Sequence, residues 1–138
     1  MSNYQRPDVS PTRASLPDDS IRRALSRGHT IDITTTGRQT GLPRRIEIVF
    51  HNIAGRLYIS GLPSRRTRAW IHNLRADPRM TFHLKGAVRA DLPATARVID
   101  DEAERRAIMP HIARNWRRND VDVMVAYSPL IEVDLDGA

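Results

Sequence analysis

The sequence predicts a small antiparallel β-barrel with peripheral helices: a mostly β, α+β domain of about six strands. Three observations carry that prediction. Between residues 31 and 60, three runs rich in β-branched and aromatic residues are separated by two short glycine-bearing breaks, which reads as three consecutive antiparallel strands. Three more strand-like runs follow, over residues 80–85, 87–99 and 131–135. The connections are mostly short, and a sheet built from such local pairings removes its edges by closing on itself.

Taken in order, residues 1–15 are polar, contain Pro7 and Pro11, and read as a mobile arm ahead of one domain over residues 16–138. Asp18, Asp19 and Ser20 offer N-caps for a short helix in which Ile21, Ala24 and Leu25 fall at i, i+3, i+4; Gly28 supplies the stop. In the second strand Ile46, Ile48 and Phe50 take one face, and Arg45, Glu47, Val49 and His51 the other. A loop over residues 61–68 leads into a helix with Trp70, Ile71 and Leu74 on one face. Asp77-Pro78 ends it, because a residue before proline avoids the α conformation. Met80, Phe82 and Leu84 then alternate with Thr81, His83 and Lys85. Pro93 falls inside the fifth strand and is expected at an edge or bulge. Asp100 or Asp101 caps a helix carrying Ala103, Ala107 and Ile108, which Pro110 is expected to interrupt or restart; Ile112, Ala113 and Trp116 continue its apolar face. Residues 117–120 form a polar break, 121–126 suit helix or strand, and Ile131, Val133 and Leu135 alternate in a closing strand.

Composition excludes several classes. The chain has 138 residues, 40% hydrophobic and 28% charged, as an ordinary globular domain has. No apolar run approaches the roughly 20 residues of a membrane-crossing helix, and the N-terminus lacks a signal-peptide core, so a cytoplasmic protein is expected. There is no cysteine. The net charge of +6 invites a nucleic-acid reading, but the basic residues are scattered and, apart from Lys85, all arginine. Two Trp, three Tyr and two Phe offer little stacking surface, so no nucleic-acid partner is expected. The five histidines show no HxH or HExxH spacing, and no metal site is expected.

The first glycine-bearing break, Gly37-Arg38-Gln39-Thr40-Gly41, combines exposed backbone N–H groups, a hydroxyl and a guanidinium, with Arg44 and Arg45 just beyond. Such a turn favours an anion. The run Thr34-Thr35-Thr36-Gly37-Arg38-Gln39-Thr40-Gly41, then Arg44, Trp70 and Asn73-Leu74-Arg75-Ala76-Asp77-Pro78, resembles the deazaflavin (coenzyme F-420)-dependent nitroreductase and quinone reductase family. That family lies within the split β-barrel, FMN-binding-like superfamily, and the similarity covers roughly residues 30 to 100.

The resemblance implies an oxidoreductase that passes a hydride from reduced coenzyme F-420 to a quinone, nitro or enone compound. Arg38, Gln39, Thr40 and Arg44 would hold the coenzyme's phosphate or tail carboxylates. The backbones of Ile46, Glu47 and Ile48, and of Ile59, Ser60 and Gly61, would run along its ring. Arg65 and Arg66 would stand in for a lysine the family often carries after the third strand. Val49 and Trp70 would line the substrate side, although Trp70 reads equally well as core. Tyr127 is the expected proton donor, with His51 or Tyr58 as substitutes. Gln39 and Glu47 depart from the family's pattern, and Glu47 would repel an anionic coenzyme if it faced the groove. Alternatives are an FMN-binding reductase of the same fold, since FMN also offers a phosphate to Arg38, Thr40 and Arg44, or a non-catalytic carrier of a flavin-like or lipidic ligand. A monomer or homodimer fits either.

Overall fold

A computed structural model of the chain describes residues 18–136; the arm expected over residues 1–15 lies outside the described residues. Asp18 opens helix α1 (Asp19–Ser26) by accepting the Ile21 N–H. Strands β1 (Thr30–Thr36), β2 (Pro43–Ile53) and β3 (Arg56–Ser60) follow as consecutive antiparallel neighbours. Then come helix α2 (Ala69–Ala76), strands β4 (Arg79–Lys85) and β5 (Arg89–Val98), helices α3 (Glu102–Asn115) and α4 (Val121–Tyr127), and strand β6 (Leu130–Leu135). The six strands close in the order β1-β2-β3-β6-β5-β4, every pairing antiparallel.

Alternation decides which side chains fill the barrel. Ile31 and Ile33 of β1, Phe50 of β2, Ile59 of β3, Phe82 of β4 and Ile131 of β6 are fully buried, and Phe50 meets Phe82 edge to face at 5.1 Å. A second apolar cluster lies outside the wall, where Met109, Ile112 and Ala113 of α3 and Met124 and Val125 of α4 pack on Tyr58 and Leu130.

One feature of the register opens the barrel. β2 pairs with β3 only from Phe50 to Ile53, whereas it pairs with β1 from Pro43 onward. The first seven residues of β2 therefore have a ladder on one side only, and this is the split.

Three points that the sequence leaves open are settled by the fold. Pro93 meets the edge expectation on one side: it pairs with Thr81 of β4, but the β5–β6 ladder begins only at Ala94, so its other side is free of a strand ladder. Its carbonyl accepts the Asp136 N–H at 2.9 Å, so its nitrogen faces the end of β6, where little ladder is lost. Pro110 lies inside α3 without ending it; the carbonyl it deprives of a donor belongs to Arg106, an exposed residue. The apolar face of α3 runs through Met109, Ile112 and Ala113, and Ala103 and Ala107 are exposed. The ambiguous stretch after residue 120 is helix α4. The Arg105 guanidinium fixes its end by donating to the carbonyls of Val125 (2.7 Å), Ile99 (2.8 Å) and Ser128.

Candidate functional site

The β1–β2 turn is folded by its own backbone. Gly37 N–H donates to the Leu42 carbonyl and Gly41 N–H to the Gly37 carbonyl, both at 2.8 Å, and Gly41 has φ +71°. A β-carbon on Gly37 would stand 2.8 Å from Thr40 Oγ1 and 3.5 Å from Arg44 Nε, so glycine is what lets these groups converge. Thr40 Oγ1 accepts the Leu42 N–H at 3.1 Å and keeps its own proton free to donate.

Asn73 of α2 ties the turn down. Its Oδ1 accepts the Arg38 N–H at 3.0 Å, and its Nδ2 donates to Thr35 Oγ1 at 3.1 Å. Thr35 is directly opposite Arg44 in the register, so Arg38, Arg44, Thr35 and Asn73 form one cluster. The guanidinium groups of Arg38 and Arg44 have no hydrogen-bond or ion-pair partner among the described residues. Arg45, Arg75, Arg79, Arg97, Arg106 and Arg118, by contrast, are each paired with a carboxylate.

Beside the turn, the open edge of β2 faces a groove of about 580 Å³. Phe50 N–H donates to the His29 carbonyl, toward β1. Strand alternation then turns the N–H and C=O groups of Glu47 and Val49 the other way, into the groove. Ile46, Ile48, Ser60, Gly61 and Trp70 complete the predicted part of its wall. Trp70 is both core and wall: it is buried to 7% exposure yet lines the groove. Ser60 contributes backbone, because its hydroxyl donates to the Pro129 carbonyl at 2.6 Å. Arg44 lies two residues before Ile46, about 7 Å along the strand.

Glu47 does not repel an anion here. It is directly opposite Asp32 on the outer wall, and Lys85 from β4 bridges the two, 2.7 Å from Asp32 Oδ1 and in contact with Glu47 Oε2. These bonds hold the Lys85 ammonium above its ordinary pKa and Asp32 below its own. The Glu47 carboxylate is thus engaged by Lys85 on the outer wall, and strand alternation turns its backbone to the groove.

Other predicted residues lie elsewhere. Ile59 is fully buried, and its backbone is paired between Phe50 and Ile131. Arg65, Arg66 and Tyr127 line a second cleft of about 580 Å³, between the 61–68 loop and the end of α4, with the Arg65 guanidinium 4.8 Å above the Tyr127 ring. Tyr127 is thus separated from the groove. Tyr58 is buried in the cluster under α3 and α4. Thr34, His83 and Asp91 form a chain of 2.7 Å hydrogen bonds with the connectivity of a hydrolytic triad. It lies where β1 is paired on both sides, so no free backbone N–H is left to hold an oxyanion. Among the described residues no group of three His, Asp or Glu could hold a metal, and no helix is long and apolar enough to cross a membrane.

Sequence reasoning missed Leu62, Arg68, Trp116 and Arg118, which also line the groove. Trp116 and Arg118 arrive from the end of α3, and only the tertiary fold brings them there. The Asn73 role had a visible signal: an amide on the same helical face as Trp70 and Leu74 must be buried and must bond something.

His51 lies on the outer face of β2 under α3, and burial pushes its imidazole down from 6.5 to about 4. Between those values the unfolded chain takes up a proton that the folded chain refuses. Stability is therefore full above pH 6.5 and is lost as the pH falls toward 4. Urea melts between pH 7 and 4.5 are expected to show this decline, and His51→Phe to flatten it.

A split barrel with an open strand edge beside a cationic turn defines a cofactor-binding protein of the flavin type. Residues 14–130 match the F420H(2)-dependent quinone reductase family, and the chain belongs to that family. It is a coenzyme F-420-dependent oxidoreductase. Solved structures share the fold at low identity. An F420 reductase is 14% identical with a TM-score of 0.66, over 87% of this chain and 95% of that one. A conserved hypothetical protein from Mycobacterium tuberculosis is 16% identical with a TM-score of 0.66, over 88% and 86%. The heme storage protein of Vibrio cholerae is 12% identical with a TM-score of 0.61, over 85% and 86%.

Proposed function

We propose that the acceptor is a small flat quinone, with nitro and enone compounds as further substrates, and that it is reduced in the groove between the β2 edge and Trp70. The observation that carries this reading is the pairing of an open strand edge with two uncompensated guanidiniums. Reduced coenzyme F-420 supplies the hydride when bound. Arg38 and Arg44, with the Thr40 hydroxyl and the Gln39 and Thr40 N–H groups, hold its phosphate by charge-assisted bonds. Glu47 and Val49 offer alternating donors and acceptors to the edge of its pyrimidine ring. Trp70 presents an indole against which a flat acceptor stacks, and the groove walls orient it and displace water. Arg65, Arg66 and Tyr127 take no part in this reading, because they line the other cleft and not the groove.

Titrating the purified protein with coenzyme F-420 or FMN while following tryptophan fluorescence tests the reading. Quenching by coenzyme F-420, followed by turnover of menadione with the reduced coenzyme, is expected. Tight FMN binding without deazaflavin binding, or a bound reduced coenzyme that leaves menadione untouched, would overturn it.

A further inference from the structure

Among the described residues two buried side-chain polar atoms lack a hydrogen-bond partner, Ser128 Oγ beside the other cleft and His51 Nε2 beside the groove. His51 is 3% exposed, and the Asn115 amide nitrogen lies 3.1 Å from its Nδ1. With that amide donating to Nδ1, the ring proton sits on Nε2. Nε2 is buried and has no hydrogen-bond partner among the described residues. Buried donors are nearly always satisfied, so an orphan calls for an explanation such as a missing ligand.

What covers the imidazole belongs to the groove. The Trp116 indole stands edge-on to the His51 ring, centroids 5.0 Å apart at 68°, and also lines the groove. Val49 and Trp116 are shared between the groove and a pocket of about 390 Å³ beside His51, so the indole is a partition between the two spaces. The backbone that sets this partition is strained. Arg117 has φ +55°, the left-handed region that favours glycine, and the Arg118 N–H closes the helix end on the Ala113 carbonyl at 2.8 Å. Strain kept at this point aims Trp116 and Arg118 at the groove.

We propose that His51 is a catalytic residue of the acceptor side, its Nε2–H donating to the oxygen of the quinone or nitro group once Trp116 swings away. This rests on the hydride-transfer reading. In the step, the bound reduced coenzyme would supply a hydride, one proton with two electrons, that bonds to the acceptor, where negative charge gathers on oxygen. His51 holds that oxyanion by a hydrogen bond and keeps its proton. The proton completing the quinol comes from bulk water and is matched by one the coenzyme releases to it on oxidation.

The full chain is tested with menadione as the probe. Coenzyme F-420 affinity is measured first, so a failure of the hydride-transfer reading shows before His51 is at issue. In ¹⁵N-histidine spectra of the oxidised-coenzyme complex, menadione is expected to shift the His51 Nε2 resonance. His51→Phe, which keeps a ring and loses the donor, is expected to bind the coenzyme within about twofold of the parent while kcat/KM for menadione falls roughly 10- to 100-fold. Trp116→Leu keeps His51 in place, and its Nε2–H is expected to exchange with water and to shift at lower menadione. An unchanged kcat/KM in His51→Phe, or a His51 resonance indifferent to saturating menadione in both the parent and Trp116→Leu, would overturn the proposal. The spectra decide the matter even if His51→Phe does not fold.

Discussion

Arg44→Ala is expected to weaken coenzyme F-420 binding by roughly 10- to 100-fold and to leave the melting temperature within about a degree of the parent. The two halves of that result have one cause. The guanidinium touches no carboxylate or carbonyl among the described residues, so the fold loses nothing when it goes. Exposed substitutions away from special contacts change stability by about 0.5 kcal/mol or less. A charge-assisted bond to phosphate contributes about 1.5–3 kcal/mol, which is the stated range of affinity. Arg45→Ala is the control. Its guanidinium is one residue away but on the other face, paired with Asp32 at 2.9 Å, and coenzyme affinity should change less than twofold. Calorimetric titration of both variants checks the prediction. Parent-like affinity in Arg44→Ala would remove the turn from the site, whatever the groove binds.

Much of this arrangement is legible in the sequence, because it is local. The alternation of Ile46, Ile48 and Phe50, the glycines at 37 and 41, and the caps at Asp18 and Asp101 each need only a few neighbouring residues to be read. What escapes is set by distant contacts. Glu47 looks hostile to an anion until Lys85, 38 residues later, is laid across it by β4. Tyr127 looks available until the Tyr127 carbonyl is seen to accept the Ser64 N–H at 3.0 Å, which fastens α4 behind the loop over residues 61–68. Ile59 is kept from the expected ring contact for a related reason: the split opens one residue further along, at Ser60, where β3 still pairs with β6 but no longer with β2. Alternation fixes which face a residue takes but not where a neighbouring strand stops.

Asn73→Leu separates what holds the site from what touches the ligand. Leucine keeps the same branching and number of side-chain heavy atoms, so packing beside Trp70 and Leu74 largely survives, but the part-buried Arg38 N–H and the buried Thr35 hydroxyl each lose a partner. Each orphaned group costs about 1–2 kcal/mol, and the variant should unfold about 2–4 kcal/mol more easily in urea. Coenzyme affinity should fall about tenfold as well, although Asn73 has no place in the proposed contact with the coenzyme, because the turn carrying Arg38 and Arg44 is no longer fastened to α2. Asn73→Asp distinguishes fastening from simple bulk. A carboxylate still accepts the Arg38 N–H, and the Thr35 hydroxyl can rotate to donate to it, so most of the stability should return. Affinity should stay low, because the new charge lies beside the guanidiniums and competes for them. Parent-like coenzyme binding in Asn73→Leu, with the stability loss intact, would show that the turn holds its shape without α2 and that Asn73 serves the fold alone.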